Sequence, residues 1–284
     1  MFIVFPGQGS QKMHMGRAYA ENADIMKYIQ LASKITNKDI KHLVMDAESE
    51  ELNRTENAQL AIFVMTYALF KLFEPTLGQI NAFAGHSLGE YIALAASRVL
   101  SFEDACLLIK ERSDLMKQVH GKMMAVLNIS PIEANMISLL ATENEEACYV
   151  ANYNSTTQIV LSGNENAIVR AQEIASKFGK RGVLLPVSGP FHSPYMKDAC
   201  DKLLPVIDKL QLNEPKVPVI SNIYATPVTH WKSVIGCHMR APVRWQETLE
   251  TMKKMDETAE FIEIGATTLL TSMAKRDGYN IKYI

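Results

Sequence analysis

A largely parallel α/β sheet carrying an inserted antiparallel subdomain is the fold class predicted by three features of the sequence. Short apolar runs alternate with helical patterns towards both ends of the chain, as parallel strands joined by crossover helices do. One such run ends in Gly85-His86-Ser87-Leu88-Gly89-Glu90-Tyr91, a glycine-flanked serine where a strand turns into a helix. Between residues 122 and 187 the order becomes strand, helix, strand, strand, helix, strand, which is the ferredoxin-like βαββαβ pattern.

The elements follow in order. Phe2–Phe5 reads as a buried strand ended by Pro6 and Gly7, with the polar loop Gly7-Gln8-Gly9-Ser10-Gln11 after it. Helical periodicity runs from about Met15 to Ile35 and from about Ala58 to Phe73. The strand Ile80–Ala84 leads into the helix Leu88–Ser97. A further helix to about Val119 starts near Ser101, a good N-cap with Glu103 and Asp104 in the first turn. In the middle section, strands are predicted at Met123–Ile129, Ala147–Asn152, Gln158–Ser162 and Gly182–Val187, with helices at Pro131–Leu140 and Asn164–Phe178. The chain then returns through a loop holding His192 and a helix to the strand Val217–Ile220. It closes with the helix Arg244–Met255, the strand Glu260–Ile264 and the helix Leu269–Lys275. The division predicted is a large domain of residues 1–121 and 188–284 with a subdomain of residues 122–187 inserted.

The 284 residues suffice for one large domain with an insert, and 48% hydrophobic against 21% charged residues is ordinary for a globular chain. A net charge of −2 gives no reason to expect nucleic acid as a partner. Cys106, Cys148, Cys200 and Cys237 form no CxxC pair and read as core residues of a reducing compartment. No basic segment precedes the short apolar run at Phe2, and Ala61–Phe70 falls short of a membrane span. A cytoplasmic protein with no membrane association is expected. No His/Cys/Asp cluster has ligand spacing, so no metal is expected. No cofactor is expected either.

Gly-x-Ser-x-Gly also occurs in ordinary turns. In a strand–turn–helix context it becomes a nucleophile elbow: the glycines relieve crowding, the serine oxygen stands above the sheet edge, and the next N–H, on Leu88, opens a helix and can stabilise an oxyanion. A serine nucleophile needs a base. Of seven histidines, His192 is the best placed, in a loop between Pro190 and Pro194 directly after a predicted strand. His86 adjoins the nucleophile and reads as a structural hydrogen-bonding residue. An unperturbed histidine base titrates at about 6.5. Arg112, on a predicted helix, is either a solvated helix arginine or a clamp whose planar fork meets a substrate carboxylate.

Five segments in register resemble the malonyl-CoA:acyl-carrier-protein transacylases and the related acyltransferase domains of polyketide synthases. They are Phe5-Pro6-Gly7-Gln8-Gly9-Ser10-Gln11, the Ser87 segment, Glu111-Arg112, Gly189-Pro190-Phe191-His192-Ser193 and Pro242-Val243-Arg244-Trp245. The resemblance implies an α/β-hydrolase-like core with a ferredoxin-like insert. It implies Ser87 and His192 as a catalytic dyad, His192 Nδ1–H being held by a main-chain carbonyl near Pro242-Val243. It implies an oxyanion hole from the N–H groups of Gln8 and Leu88, and Arg112 as the carboxylate clamp. Gln59, Asn154 and Arg181 are implied near the acyl group or pantetheine, and Phe191 as a ring that excludes an α-methyl branch. The implied reaction is malonyl transfer from malonyl-CoA to the phosphopantetheine thiol of acyl-carrier protein, through a malonyl-serine, for fatty-acid synthesis. A discrete polyketide acyltransferase is the alternative, and a serine esterase or thioesterase a more distant one. A monomer that meets its carrier protein transiently is expected. The sequence departs from the family at Leu60, at Ser113 and at Gly265-Ala266-Thr267, the last where Gly-Pro-Gly is usual; Thr267 cannot take up glycine-only backbone angles cheaply.

Overall fold

The computed structural model describes residues 1–284. In chain order the strands are β1 (Phe2–Phe5), β2 (Ala82–Gly85), β3 (Lys122–Leu127), β4 (Cys148–Ser155), β5 (Gln158–Gly163), β6 (Arg181–Leu184), β7 (Val219–Ile220), β8 (Phe261–Glu263) and β9 (Ile281–Tyr283). The helices are α1 (Ala23–Thr36), α2 (Ile40–Met45), α3 (Ser49–Leu52), α4 (Thr55–Phe73), α5 (Leu88–Ala96) and α6 (Phe102–Met116), then α7 (Pro131–Ala141), α8 (Glu165–Lys177), α9 (Lys197–Lys209), α10 (Trp231–Cys237), α11 (Trp245–Met255) and α12 (Leu269–Ala274). No helix is long and apolar enough to cross a membrane.

β1 lies at the centre of a sheet ordered β7-β2-β1-β8-β9 in which every pairing is parallel. All four residues of β1 are buried, as expected of a central parallel strand covered on both faces. Ile3 and Phe5 face α1, α4, α5 and α6, while Phe2 and Val4 face Trp245, Leu249 and Leu270. The chain moves from β1 to β2 on one side and later to β8 on the other. The connections leaving β1 and β8 run in opposite directions, which makes a switch point between those two strands, where open α/β sheets place their ligands; the loop after β2 lies beside the loop after β1.

The second sheet, ordered β4-β5-β3-β6, is antiparallel throughout, and all its strands lie between Lys122 and Leu184. Its side chains alternate with the pleat. Met124 and Val126 of β3, with Ile159 and Leu161 of β5, pack under α7 and α8. Met123, Ala125 and Val160 face the other way, towards the large sheet. Ser130 caps α7 in a capping box with Glu133, and Asn164 caps α8.

Several elements differ from the sequence expectation. The helical stretch predicted from Met15 breaks because the Asn22 side chain accepts from Ile25 N–H and starts α1 afresh; before it, Arg17–Tyr19 forms only a 3-10 turn. α2, α3, α10 and the edge strand β9 were not expected; the first three are short and the strand is three residues long. Cys106, Cys148 and Cys200 are buried free thiols, whereas Cys237 is only half-buried. Thr267 is not among the residues with positive φ, so the departure from Gly-Pro-Gly creates no backbone strain there.

Candidate active site

Ser87 sits between β2 and α5 with φ 52° and ψ −110°, a region that costs an L-residue about 1–3 kcal/mol. Two glycines make the turn possible. A Cβ on Gly85 would stand 1.8 Å from the Gly89 carbonyl carbon, and one on Gly89 would stand 2.1 Å from the Phe5 carbonyl oxygen. Helix α5 can therefore start directly against β1 and β2.

His192 reaches Ser87 from the loop before α9, and its Nε2 is 2.7 Å from Ser87 Oγ. The histidine is also left-handed, with φ 57°, and its N–H donates to Met239 O at 2.8 Å. Its Nδ1 lies 3.0 Å from Ala241 O. A carbonyl only accepts, so Nδ1 carries the proton and Nε2 is free to accept from the Ser87 hydroxyl. The Ala241 carbonyl is fixed in turn, because Val243 pairs with the bulged part of β4, its N–H donating to Ala151 O and its carbonyl accepting from Tyr153 N–H.

These groups face a cavity of about 280 Å³ between the two sheets. Gln8 and Leu88 line it, and neither of their N–H groups donates to an acceptor within the protein. Gly7 packs against the elbow so closely that a Cβ there would stand 2.3 Å from His86 O, which brings the Gln8 loop beside Leu88. Phe191 is buried and forms part of the wall. Its ring would meet a Cβ on Gly189 at 2.4 Å, so the glycine makes room for it.

Arg112 lines the same cavity at 0% exposure. Its Nη1 donates to Gln59 Oε1, its Cζ lies 5.1 Å over the Tyr91 ring, and Nε and Nη2 have no partner. A buried guanidinium without a carboxylate is costly unless an anion completes it. Gln59 joins Arg112 to the Gln8 loop, its Nε2 lying 3.5 Å from Gln8 Oε1. His86 Nε2 is 2.8 Å from Asn154 Oδ1, its ring meets Trp245 edge-on, and it too lines the cavity. Asn154 and Asn152 lie on the cavity face of β4.

Arg181 is the exception among the expected site residues. It is exposed at the end of edge strand β6 opposite Leu127, whereas the cavity wall lies near Leu185 at the other end of that strand. The sequence reading missed Asn222, Glu90 and His238, which lie behind the dyad. Asn222 Oδ1 accepts from Ser87 N–H at 2.7 Å, and its own N–H donates to Glu90 Oε2 at 2.8 Å. The His238 ring stands 5.5 Å from that of His192.

Burial, then the neighbouring His238 and the positive charge of Arg112, push the His192 pKa well below its ordinary value. This corrects the expectation of titration near 6.5. An imidazole with a depressed pKa stays neutral, and so able to accept a proton, through neutral pH. The acylation rate constant kcat/KM, which reports the free enzyme, is expected to stay flat from pH 8 down past about 6.5 and to fall only at lower pH. A limb centred at or above 6.5 would contradict this placement.

The family model for the acyl transferase domain matches residues 2–282. The malonyl CoA-acyl carrier protein transacylase of Bacillus subtilis is 34% identical over 99% of this chain and 92% of its own length. The crystal structure of an acyl carrier protein S-malonyltransferase from Vibrio cholerae superposes with a TM-score of 0.94 at 32% identity, covering 100% of this chain and 96% of that one. A malonyl-transacylase solved in complex with its type II polyketide acyl-carrier protein gives a TM-score of 0.93 at 28% identity, covering 100% and 95%. The chain belongs to the acyl transferase family, the family of the malonyl CoA-acyl carrier protein transacylases.

Proposed function

We propose that this enzyme moves the malonyl group from malonyl-CoA to the phosphopantetheine thiol of acyl-carrier protein through a malonyl ester on Ser87. The observation that carries the proposal is a serine–histidine dyad sharing one cavity with a buried arginine that has no carboxylate of its own.

The substrate carboxylate completes Arg112, whose planar fork suits two parallel hydrogen bonds. The thioester carbonyl then lies towards the free N–H groups of Gln8 and Leu88. His192 Nε2 takes the proton of Ser87 Oγ as the oxygen attacks the carbonyl carbon. The negative charge that develops on the carbonyl oxygen is held by the two N–H groups, each worth about 3–4 kcal/mol of barrier. The C–S bond breaks, and the leaving sulfur takes the proton from His192. CoA departs and the carrier thiol enters. His192 takes the thiol proton, the sulfur attacks the ester, and Ser87 Oγ recovers the proton as the C–O bond breaks. Neither half needs a metal or a cofactor. Phe191 narrows the cavity beside the reacting centre and disfavours an α-methyl branch, by a steric clash rather than by the 1–3 kcal/mol or so that a fitted methylene gives. Gln59 and Asn154 are placed to contact the acyl group or pantetheine.

We assign the enzyme to the supply of extender units for fatty-acid synthesis, as a cytoplasmic monomer with the carrier protein as its transient partner. Delivery to a polyketide carrier is the second reading, favoured by the likeness to a transacylase solved with such a carrier. When malonyl-CoA and carrier protein are varied together, initial rates should give parallel double-reciprocal lines, the pattern of a covalent enzyme intermediate. Lines that intersect would mean direct transfer in a ternary complex.

A further inference from the structure

We propose that Glu90, acting through Asn222, is a positioning residue for the nucleophile, and that the two form a brace holding the Ser87 turn in its reactive conformation. The inference rests on the reading of Ser87 as the nucleophile.

The strained backbone at Ser87 persists only if its surroundings over-determine it. Asn222 supplies that constraint from the loop after β7, spanning the turn from both sides. Its Oδ1 accepts from Ser87 N–H at 2.7 Å, and its Nδ2 donates to Gly85 O at 2.6 Å. An amide is the side chain that can accept and donate at once in this way. Asn222 is itself fixed by its backbone: its N–H donates to Glu90 Oε2 at 2.8 Å, and its carbonyl accepts from Arg244 N–H at 2.9 Å. Glu90 belongs to the first turn of α5, and its N–H donates to Ser87 O at 3.0 Å. The chain of contacts closes on itself, from Ser87 to Asn222 to Glu90 and back to Ser87.

Glu90 and Asn222 are each 1% exposed, and Glu90 Oε1 has no partner. His238 Nε2 stands 3.3 Å from Glu90 Oε2. Burial pushes the carboxyl up to about 8 and the imidazole well below its ordinary value. What the brace uses is one oxygen that accepts the Asn222 N–H. A glutamine carbonyl oxygen can accept that bond in nearly the same volume, whereas methionine fills the volume without accepting.

The test compares Glu90→Gln, Glu90→Met and Asn222→Ala in two assays. One is steady-state malonyl transfer; the other is the rate at which phenylmethylsulfonyl fluoride modifies Ser87, which needs neither malonyl-CoA nor Arg112. A displacement of a reacting atom by an ångström costs about 10²-fold. Glu90→Met and Asn222→Ala should lose about 30- to 100-fold in kcat and in sulfonylation rate, with KM for malonyl-CoA within about twofold. Glu90→Gln should keep both rates within about threefold. Wild-type rates in Glu90→Met and Asn222→Ala would overturn the proposal. So would an equal loss in Glu90→Gln and Glu90→Met, or a change confined to KM. If Asn222→Ala does not fold, the two Glu90 variants, which keep the buried volume, still decide. Slow sulfonylation in an enzyme that proves not to use malonyl-CoA would leave the brace standing and remove only the substrate reading.

Discussion

Ser87→Ala is expected to lose malonyl transfer by roughly 10⁴- to 10⁶-fold, the scale on which nucleophile deletions act in serine enzymes. The methyl group fits where the hydroxymethyl stood, and the N–H of residue 87 still meets Asn222 Oδ1, so the turn survives without its reactive atom. His192 then has no proton to take. Circular dichroism and thermal melting should match the parent, and intact-protein mass spectrometry after incubation with malonyl-CoA should find no adduct. An adduct in equal yield on the alanine variant would remove Ser87 from the mechanism. The pairing of a large kinetic loss with an unchanged fold separates the loss of a reactive group from collapse of the elbow.

Arg112→Ala is expected to change specificity more than it changes chemistry. The guanidinium is fully buried, has two nitrogens without partners and shares the cavity with Ser87. A charge-assisted bidentate pair in such a place loses about 3–5 kcal/mol when one side is removed, since the remaining charge stays desolvated. That corresponds to a fall of about 10²- to 4 × 10³-fold in kcat/KM for malonyl-CoA. Acetyl-CoA has no carboxylate to strand, so its slow turnover should hold or rise. Arg112→Lys should rescue poorly, because an ammonium is a point charge without a fork. The ratio of malonyl-CoA to acetyl-CoA acylation rates in the three proteins is the measurement. A ratio unchanged in both variants would make Arg112 a structural cation of α6 and would favour an esterase.

Much of this site is legible in the sequence because its parts are local. The Gly85–Gly89 spacing specifies a turn that only a strand and a helix meeting at close range require, and the structure supplies both. The βαββαβ order of the insert is written in alternating periodicities, and Ser101 and Asn164 mark helix starts that the caps realise. Other parts depend on contacts between distant segments. Asn222 carries no motif, and its role arises only because β7 lies beside β2 and brings it against Ser87. The pKa of His192 depends on burial and on two neighbours from other elements, so a reference value could not give it. Arg181 was placed by resemblance alone, and its position on an edge strand, pointing to solvent, follows from a register that spacing does not encode.

The most direct test of the account is to follow one malonyl group. The enzyme is loaded with labelled malonyl-CoA, freed of excess substrate and split into two portions, one with holo acyl-carrier protein and one with buffer. The expected result is a malonyl ester on the peptide containing Ser87 that persists in buffer and passes to the carrier's pantetheine thiol when carrier is added. A label released as free malonate at the same rate in both portions would contradict the account, because water would then be the acceptor.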